Sequence, residues 1–231
     1  MAAIPLFSPR PRTPSLRVAV LASGRGSNLQ ALIDAQRDDC SPIEIVLVAS
    51  DKAKAIALRR AEDAGIATLA LNPKSYPDRA AFDAELFARV GAHQPNLIVL
   101  AGFMRILDPI ALAPWLGRII NIHPSLLPKY PGLHTHRRVL EAGDAMHGAS
   151  VHYVTAELDG GPPIAQAQIA IVAGDTPETL AERLLEREHR LLVECVALIA
   201  AGRIAMSAAG VTFDGHVLLA PLQLDDNGRI V

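Results

Sequence analysis

Short hydrophobic runs alternate with amphipathic segments along most of the chain. Four of the runs have the length and apolar content of buried parallel strands, at 17–22, 43–48, 67–71 and 96–101. Apolar residues recur at helical spacing between them, after Ser27, from Lys52 to Ala64 and from about Arg79 to His93. This strand–helix alternation predicts an α/β fold with a mostly parallel, twisted sheet, right-handed crossovers and flanking helices.

The pattern changes after a fifth apolar run, 119–122. Residues 148–154 alternate small or apolar residues with polar ones, and 164–172 form another strand-like run. We expect these two segments to extend the sheet in antiparallel fashion on its C-terminal side. A long helix is predicted from Thr176, a suitable N-cap, to about Ala201, with Pro177 at its first position.

The organisation predicted from these patterns is one domain with two extensions. Residues 1–15 contain four prolines and no acidic residue, which opposes an amphipathic helix, so we expect a disordered extension there. The domain should span 16–206. Residues 207–231 form a C-terminal tail in which Phe213-Asp214-Gly215-His216 predicts a hairpin turn.

Composition and charge narrow the class of ligand. Half of the residues are hydrophobic, enough for a proper core, and the net charge of −2 offers no basic surface for nucleic acid or anionic membrane. No apolar run approaches the roughly 18 residues of a membrane span. Cys40 and Cys195 lack the spacing of a zinc site or a disulfide framework. We therefore expect a cytoplasmic protein without a metal site and without nucleic acid or membrane as a partner. No dimer seam can be read from the sequence, so a monomer and a homodimer both stay open.

A glycine turn follows the first strand, in the run Ser23-Gly24-Arg25-Gly26-Ser27-Asn28. Strand, glycine turn and helix is the geometry in which free backbone N–H groups hold an anion. The dinucleotide fingerprint is incomplete because position 29 is Leu, and the Gly-Lys-Ser/Thr of a Walker loop is missing. A single phosphate of a small ligand fits better, with Gly26 allowing close backbone approach. A simple capped turn remains the alternative.

The fifth run ends in two polar residues, Asn121 and His123, which point to the same face of a strand. One is an amide donor and acceptor, and the other is an imidazole that can carry a proton near neutral pH. Three prolines stiffen the segment that follows, 124–131, and Leu127–Pro128 is expected to be a cis bond. These residues alone are equally compatible with a catalytic strand end and with a structural turn in which His123 is bonded locally.

The amino-acid sequence of this segment resembles that of a known family. Asn-x-His-Pro-Ser-Leu-Leu-Pro, at 121–128, strongly resembles the signature of the folate-dependent formyltransferases. The continuation Lys-Tyr-Pro-Gly-Leu-His-Thr-His, at 129–136, resembles the phosphoribosylglycinamide branch of that family, which serves purine biosynthesis. The resemblance covers about Arg17 to Met206. It implies a Rossmann-like formyltransferase fold and formyl transfer from 10-formyltetrahydrofolate, as co-substrate, to the amine of glycinamide ribonucleotide.

The resemblance also implies roles for individual residues. The run Glu-Leu-Asp-Gly-Gly-Pro, at 157–162, matches the family and supplies an aspartate. Without the family resemblance, this run would be interpreted as a turn. The implied catalytic residues are Asn121, His123 and Asp159. Glycinamide ribonucleotide would be bound by Gly26, Ser27 and Asn28 at its phosphate and by Glu188 at its ribose. Folate would be bound by Arg79, Met104, Arg105, Ile106, Leu107 and Asn121.

The implied reaction is a direct attack of the substrate amine on the formyl carbon, so no Ser or Cys nucleophile is required. The amide N–H of Asn121 and the imidazolium of His123 are suitable donors to the oxyanion that forms. A carboxylate beside a histidine favours its protonated form, so Asp159 is expected within a hydrogen bond or one water of His123 in the liganded state. It could also relay protons through a bound water.

Three other functions remain open at this stage. A formyltransferase for initiator tRNA should carry a basic module after the catalytic domain, whereas the thirty or so residues after the long helix have no basic excess; a sugar-nucleotide enzyme is a related possibility. A formyltetrahydrofolate hydrolase usually has an added N-terminal regulatory domain, which these 231 residues lack. A non-catalytic phosphate sensor would explain the glycine turn but not Asn121, His123 and Asp159 together.

Overall fold

The computed structural model describes residues 15–38 and 41–231, so the expected extension at 1–15, apart from Ser15, lies outside the described residues, as does Cys40. The strands are β1 (Leu16–Leu21), β2 (Ile43–Ser50), β3 (Thr68–Ala70), β4 (Leu97–Leu100), β5 (Ile119–His123), β6 (Met146–Tyr153), β7 (Pro163–Ala170), β8 (Ile204–Ser207), β9 (Gly210–Phe213), β10 (His216–Val217) and β11 (Leu222–Gln223). The α-helices are α1 (Ser27–Gln36), α2 (Ile56–Asp63), α3 (Arg79–Ala92), α4 (Pro109–Leu112), α5 (Thr135–Ala142) and α6 (Pro177–Ala200), with 3₁₀ turns at Pro73–Ser75 and Ala113–Trp115.

The main sheet has the order β11-β7-β6-β5-β4-β1-β2-β3. The five strands from β3 to β5 are parallel, whereas β6 runs antiparallel to β5 and β7 antiparallel to β6. The predicted α/β fold with an antiparallel extension is therefore confirmed. Strands β8, β9 and β10 form a separate small antiparallel sheet, with Asp214 and Gly215 in the turn between the last two.

Both faces of the main sheet are buried. In β1, Val18 and Val20 pack into the cluster that includes α1, α2 and α6, whereas Ala19 and Leu21 pack into the cluster that includes α3. The alternation follows from the two-residue side-chain period of a strand. Burial on both faces explains why these strands are continuously apolar in the sequence. Among the described residues, none of the helices is both long and apolar enough to cross a membrane.

Among the predicted helices, α1, α3 and α6 lie where the sequence placed them, whereas α2 begins later. Thr176 caps α6 as predicted, because its side chain accepts a hydrogen bond from the N–H of Thr179. The helix expected from Lys52 instead begins at Ile56. The Ser50 hydroxyl accepts the N–H of Lys52, and the N–H of Ala55 donates to the Lys52 carbonyl, so local bonds form a turn where a helix was predicted.

The Pro-rich segment after β5 is fixed to the antiparallel strands beside it, and its Leu127–Pro128 bond is cis as expected. The buried Ser150 hydroxyl accepts the N–H of Leu127 at 3.0 Å and donates to the Ser125 carbonyl at 2.7 Å. Gln166 of β7 donates to the Leu127 carbonyl. These bonds hold the segment at the carboxyl ends of the parallel strands, the edge at which open α/β sheets bind ligands.

Candidate active site

Three polar side chains predicted to act together lie together in the structure. Asn121 and His123 project from β5, and Asp159 comes from the loop between β6 and β7. His123 Nδ1 is 3.4 Å from one oxygen of Asp159, and Asn121 Nδ2 is 3.5 Å from the other. The side chains of His123 and Asp159 are only 8% and 10% exposed. The expected proximity of Asp159 and His123 is therefore confirmed.

The orientation of the His123 ring follows from its second nitrogen. Nε2 lies 3.0 Å from the backbone carbonyl of Tyr130. Because a carbonyl can only accept, Nε2 must carry a hydrogen. That hydrogen is committed to the protein, so Nδ1, on the Asp159 side, is the nitrogen available to a substrate.

Asp159 is held by the Pro-rich segment as well as by its own loop. Its Oδ2 accepts the backbone N–H of Gly132 at 2.8 Å. Its backbone has φ +50°, in the left-handed region that aspartate tolerates better than most residues. The carboxylate therefore ties two loops together and faces β5.

His152 completes the group, and the sequence analysis did not single it out. Its Nδ1 lies 3.0 Å from the Tyr153 carbonyl and so carries a hydrogen, which leaves Nε2 as an acceptor for Asn121 Nδ2 at 3.1 Å. Burial lowers the pKa of His152, which keeps the ring neutral. One amide hydrogen of Asn121 is thus fixed, and the other is directed to the Asp159 side. The feature that could have identified His152 is strand register, because His152 of β6 pairs with Asn121 of β5.

The predicted phosphate turn leads directly into α1. Gly26 is the N-cap, and Asn28 lies in the first turn of the helix. Asn28 Nδ2 donates to Glu188 of α6 at 3.2 Å, while Asn28 Oδ1 is buried without a partner among the described residues. Burial raises the pKa of Glu188. The structure therefore brings Asn28 and Glu188 together from distant parts of the chain.

The requirement for glycine at position 26 has a different origin from the one expected. Gly26 has φ +69°, and a Cβ built on it would lie 2.8 Å from the Cα and the Cβ of Ala57. Any side chain would thus strain the backbone and collide with α2 before a ligand arrives. Substitution of Gly26 cannot separate phosphate binding from folding, and variants at neighbouring positions are needed.

A cleft opens beside the three polar side chains. It is lined by Leu100, Phe103, Arg105, Ile106, Leu107, Asn121, His152 and the loop 154–159. Ile106 and Met104 are 52% and 64% exposed, so their apolar side chains are available for contact, whereas Leu107 is buried. Met104 is not among the lining residues.

Side chains from other elements fix the backbone of the segment 104–108 at one side of this cleft. The Ser23 hydroxyl accepts the N–H of Met104 at 3.0 Å, and Asp83 accepts the N–H of Asp108 at 2.7 Å. Arg105 lies over the ring of Phe82, 4.6 Å from its centroid. Because Ser23 also begins the glycine turn, one residue joins the phosphate turn to the segment predicted to bind folate.

Arg79, like Met104, is a predicted folate residue that the structure leaves outside the cleft lining. It is the first residue of α3 and is exposed. Burial raises the pKa of Asp83, and the positive charges of Arg105 and, to a smaller extent, Arg79 oppose this shift. Among residues 15–38 and 41–231, no cluster of three or more His, Cys, Asp or Glu side chains could hold a metal ion.

Known proteins resemble the chain over most of its length. The formyl transferase family model matches residues 16–196. The phosphoribosylglycinamide formyltransferase of Escherichia coli (strain K12) is 47% identical over 203 residues, which cover 88% of this chain and 96% of the relative. The trifunctional purine biosynthetic protein adenosine-3 of Homo sapiens is 41% identical over 194 residues, 84% of this chain but 19% of that longer protein.

Solved structures give the same result. The phosphoribosylglycinamide formyltransferase of Coxiella burnetii superposes with a TM-score of 0.85 at 46% identity, covering 88% of this chain and 96% of that one. Glycinamide ribonucleotide transformylase 1 of Symbiobacterium toebii has a TM-score of 0.83 at 44% identity, with 86% and 94% covered. The chain therefore belongs to the formyl transferase family, within its phosphoribosylglycinamide formyltransferase branch.

Proposed function

We propose that this chain transfers the formyl group of 10-formyltetrahydrofolate to the amine of glycinamide ribonucleotide. The products are formylglycinamide ribonucleotide and tetrahydrofolate, and the step belongs to de novo purine biosynthesis. The observation that carries the proposal is the convergence of His123 and Asn121 on the carboxylate of Asp159, at 3.4 and 3.5 Å, beside a cleft. The names of the relatives in Escherichia coli and Coxiella burnetii support the same reaction.

Glycinamide ribonucleotide is proposed to bind at the start of α1. The backbone N–H groups of Gly26, Ser27 and Asn28 would receive the phosphate, where the positive end of the helix dipole favours an anion. Glu188 would bond the ribose hydroxyls, because its buried carboxylate accepts only one described hydrogen bond, from Asn28. The unpartnered Oδ1 of Asn28 lies beside the same carboxylate and supports a polar ligand there.

10-Formyltetrahydrofolate is proposed to occupy the cleft. The flat pterin would lie along Arg105, Ile106 and Leu107, with backbone groups of this segment as hydrogen-bonding partners. The exposed side chain of Met104 would cover its outer edge. Arg79, at the surface beyond the cleft lining, suits the acidic tail of folate. We also propose that the protein acts in the cytoplasm, and its predicted oligomeric state is a monomer or a homodimer.

The proposed mechanism uses each polar side chain at a stated atom. The substrate amine attacks the formyl carbon, and the second amide N–H of Asn121 and the Nδ1–H of His123 donate to the oxyanion. Losing one such donor typically costs about 3 kcal/mol of transition-state stabilisation. Asp159, through a bound water, takes a proton from the attacking nitrogen and returns one to the leaving nitrogen.

A direct assay tests the function. Purified protein is mixed with 10-formyltetrahydrofolate and glycinamide ribonucleotide, and the deformylated folate is followed by absorbance. We expect turnover that needs both substrates and gives one formylated product per folate. Deformylation without the amine would indicate a hydrolase, and turnover with aminoacylated initiator tRNA or an amino sugar nucleotide would indicate another formyltransferase. No turnover by folded protein in any mixture would contradict the proposal.

A further inference from the structure

We propose that Arg60 is a positioning residue for the phosphate of glycinamide ribonucleotide. From α2 it fixes the backbone of the turn 24–28, so that the N–H groups of this turn converge on the anion. The inference rests on the proposed function, since it takes the phosphate to bind at the start of α1. Arg60 lies on neither of the elements to which the sequence assigned that phosphate.

Two consecutive carbonyl groups of the turn are bonded to α2. The Gly24 carbonyl accepts the backbone N–H of Ala57 at 3.1 Å. The Arg25 carbonyl accepts Nε of Arg60 at 2.9 Å. In a planar trans peptide the C=O and the N–H point in opposite directions. The N–H groups of Arg25 and Gly26 therefore point away from α2.

The same direction is continued by the first turn of α1. The first N–H groups of a helix have no partner within it, and here they belong to Ser27 and Asn28. Within residues 15–38 and 41–231, the backbone N–H groups of 25–28 donate to no protein acceptor. Four successive free donors beside a helix N-terminus form a concave anion site only if the turn keeps this conformation.

Arg60 is itself held in the geometry that this role requires. Its Nη1 donates to Gln30 Oε1 of α1 at 2.8 Å, and Gln30 Nε2 donates to Asp34 at 3.0 Å. One guanidinium thus bonds the turn through Nε and α1 through Nη1. Lysine has no rigid fork and could not hold both acceptors in this way. The close contact of Gly26 with Ala57 fixes the turn on α2 at a second point.

The first experiment compares two neighbouring arginines. Arg60→Ala and Arg59→Ala each remove one positive charge from α2, but Arg59 is exposed. We expect Arg60→Ala to raise the KM for glycinamide ribonucleotide by roughly tenfold or more, because misdirected N–H groups lose charge-assisted hydrogen bonds to the phosphate. The KM for 10-formyltetrahydrofolate and the kcat at saturation should stay within about twofold, and Arg59→Ala should match the wild type.

A second variant separates positioning from a simple effect of charge. Gln30→Ala leaves the charge of Arg60 in place but removes its bond to α1. We expect a smaller rise in the same KM, and less than additive effects in the Arg60→Ala, Gln30→Ala double variant, because both act through one contact. A silent Gln30→Ala variant, or an equal rise in both KM values for Arg60→Ala, would overturn the inference.

A binding measurement keeps the inference testable if the proposed function fails. Inorganic phosphate is titrated into the full-length wild-type protein and into Arg60→Ala, and the backbone amide shifts of residues 25–28 are followed by NMR. Saturable shifts in the wild type and weaker binding in the variant would support the role of Arg60 even without turnover. No shift in the wild type, or equal affinity in both proteins, would remove it.

Discussion

The two ends of the ligand-binding edge are built from different kinds of chemical group. At the proposed phosphate end, backbone N–H groups of a turn and a helix would supply the donors, and hydrogen bonds from α2 hold the turn. At the proposed catalytic end, side chains would supply the chemistry, and they depend on loops in which Tyr130, His134 and Asp159 all have positive φ. Peptide groups keep their polarity at every pH, whereas imidazoles and carboxylates do not. Binding of the phosphate should therefore depend little on pH, whereas catalysis should depend on the protonation and placement of a few side chains.

The largest effect is expected from a substitution that impairs catalysis and leaves substrate binding intact. Asp159→Asn keeps the shape of the side chain but removes the carboxylate that faces His123 Nδ1 and accepts from Gly132. Turnover should fall by about 10²- to 10⁴-fold, the usual share of acid–base catalysis. Rapid-quench kinetics and the KM for glycinamide ribonucleotide are measured together, with the exposed Asp226→Asn variant as a control. Full activity would remove Asp159 from the mechanism.

The next prediction concerns pH and stability behind the catalytic end. His147 of β6 is buried and 2.9 Å from His136, and burial lowers its pKa to about 4. Its unfolded value is near 6.5, so between these values the unfolded chain binds more protons, and the free energy of unfolding falls as pH falls. The loss attributable to His147 is on the order of 3 kcal/mol between pH 7 and pH 4.

The measurement is chemical denaturation at several pH values, with His147→Gln beside the wild type. The other buried groups titrate in both proteins, so the difference between the two curves isolates His147 together with its coupling to the neighbouring His136. We expect the variant to depend less on pH below 6.5. Parallel curves would show that the histidine pair makes no such contribution.

A substitution at the phosphate end should have a smaller effect, and on binding only. Asn28→Asp replaces the donor to Glu188 with a second carboxylate in a buried place beside the proposed phosphate. Like charges should raise the KM for glycinamide ribonucleotide by roughly tenfold to a hundredfold. The KM for 10-formyltetrahydrofolate, measured on the same preparation, should not change. A rise in both would mean that the two ends are not separable.

The smallest expected effect tests how the catalytic end is supported. His152→Phe keeps a buried ring but removes the acceptor that orients the Asn121 amide. The kcat should fall by about tenfold, because an amide that can rotate donates less often to the oxyanion. The KM for glycinamide ribonucleotide should stay unchanged. A wild-type kcat would show that Asp159 alone orients Asn121.

Local sequence was sufficient for the elements on which the site is built. Buried parallel strands are continuously apolar, and a glycine turn before a helix is a local feature. The strand end that carries Asn121 and the turn that carries Gly26 could therefore be predicted without a structure. The beginning of α2 was predicted too early, because hydrogen bonds from the Lys52 N–H to the Ser50 hydroxyl and from the Ala55 N–H to the Lys52 carbonyl form a turn that helical periodicity does not report. The local resemblance at 121–136 supplied the reaction.

The sequence by itself determined the α/β fold, the polar strand end at 121–123 and the family. Only the tertiary structure decided which groups meet. Asp159 reaches His123 from a separate loop, His152 meets Asn121 through strand register, and Arg60 reaches the phosphate turn from a different helix. Such contacts join residues far apart in the chain, and they depend on register and loop conformation, which no local pattern of residues specifies.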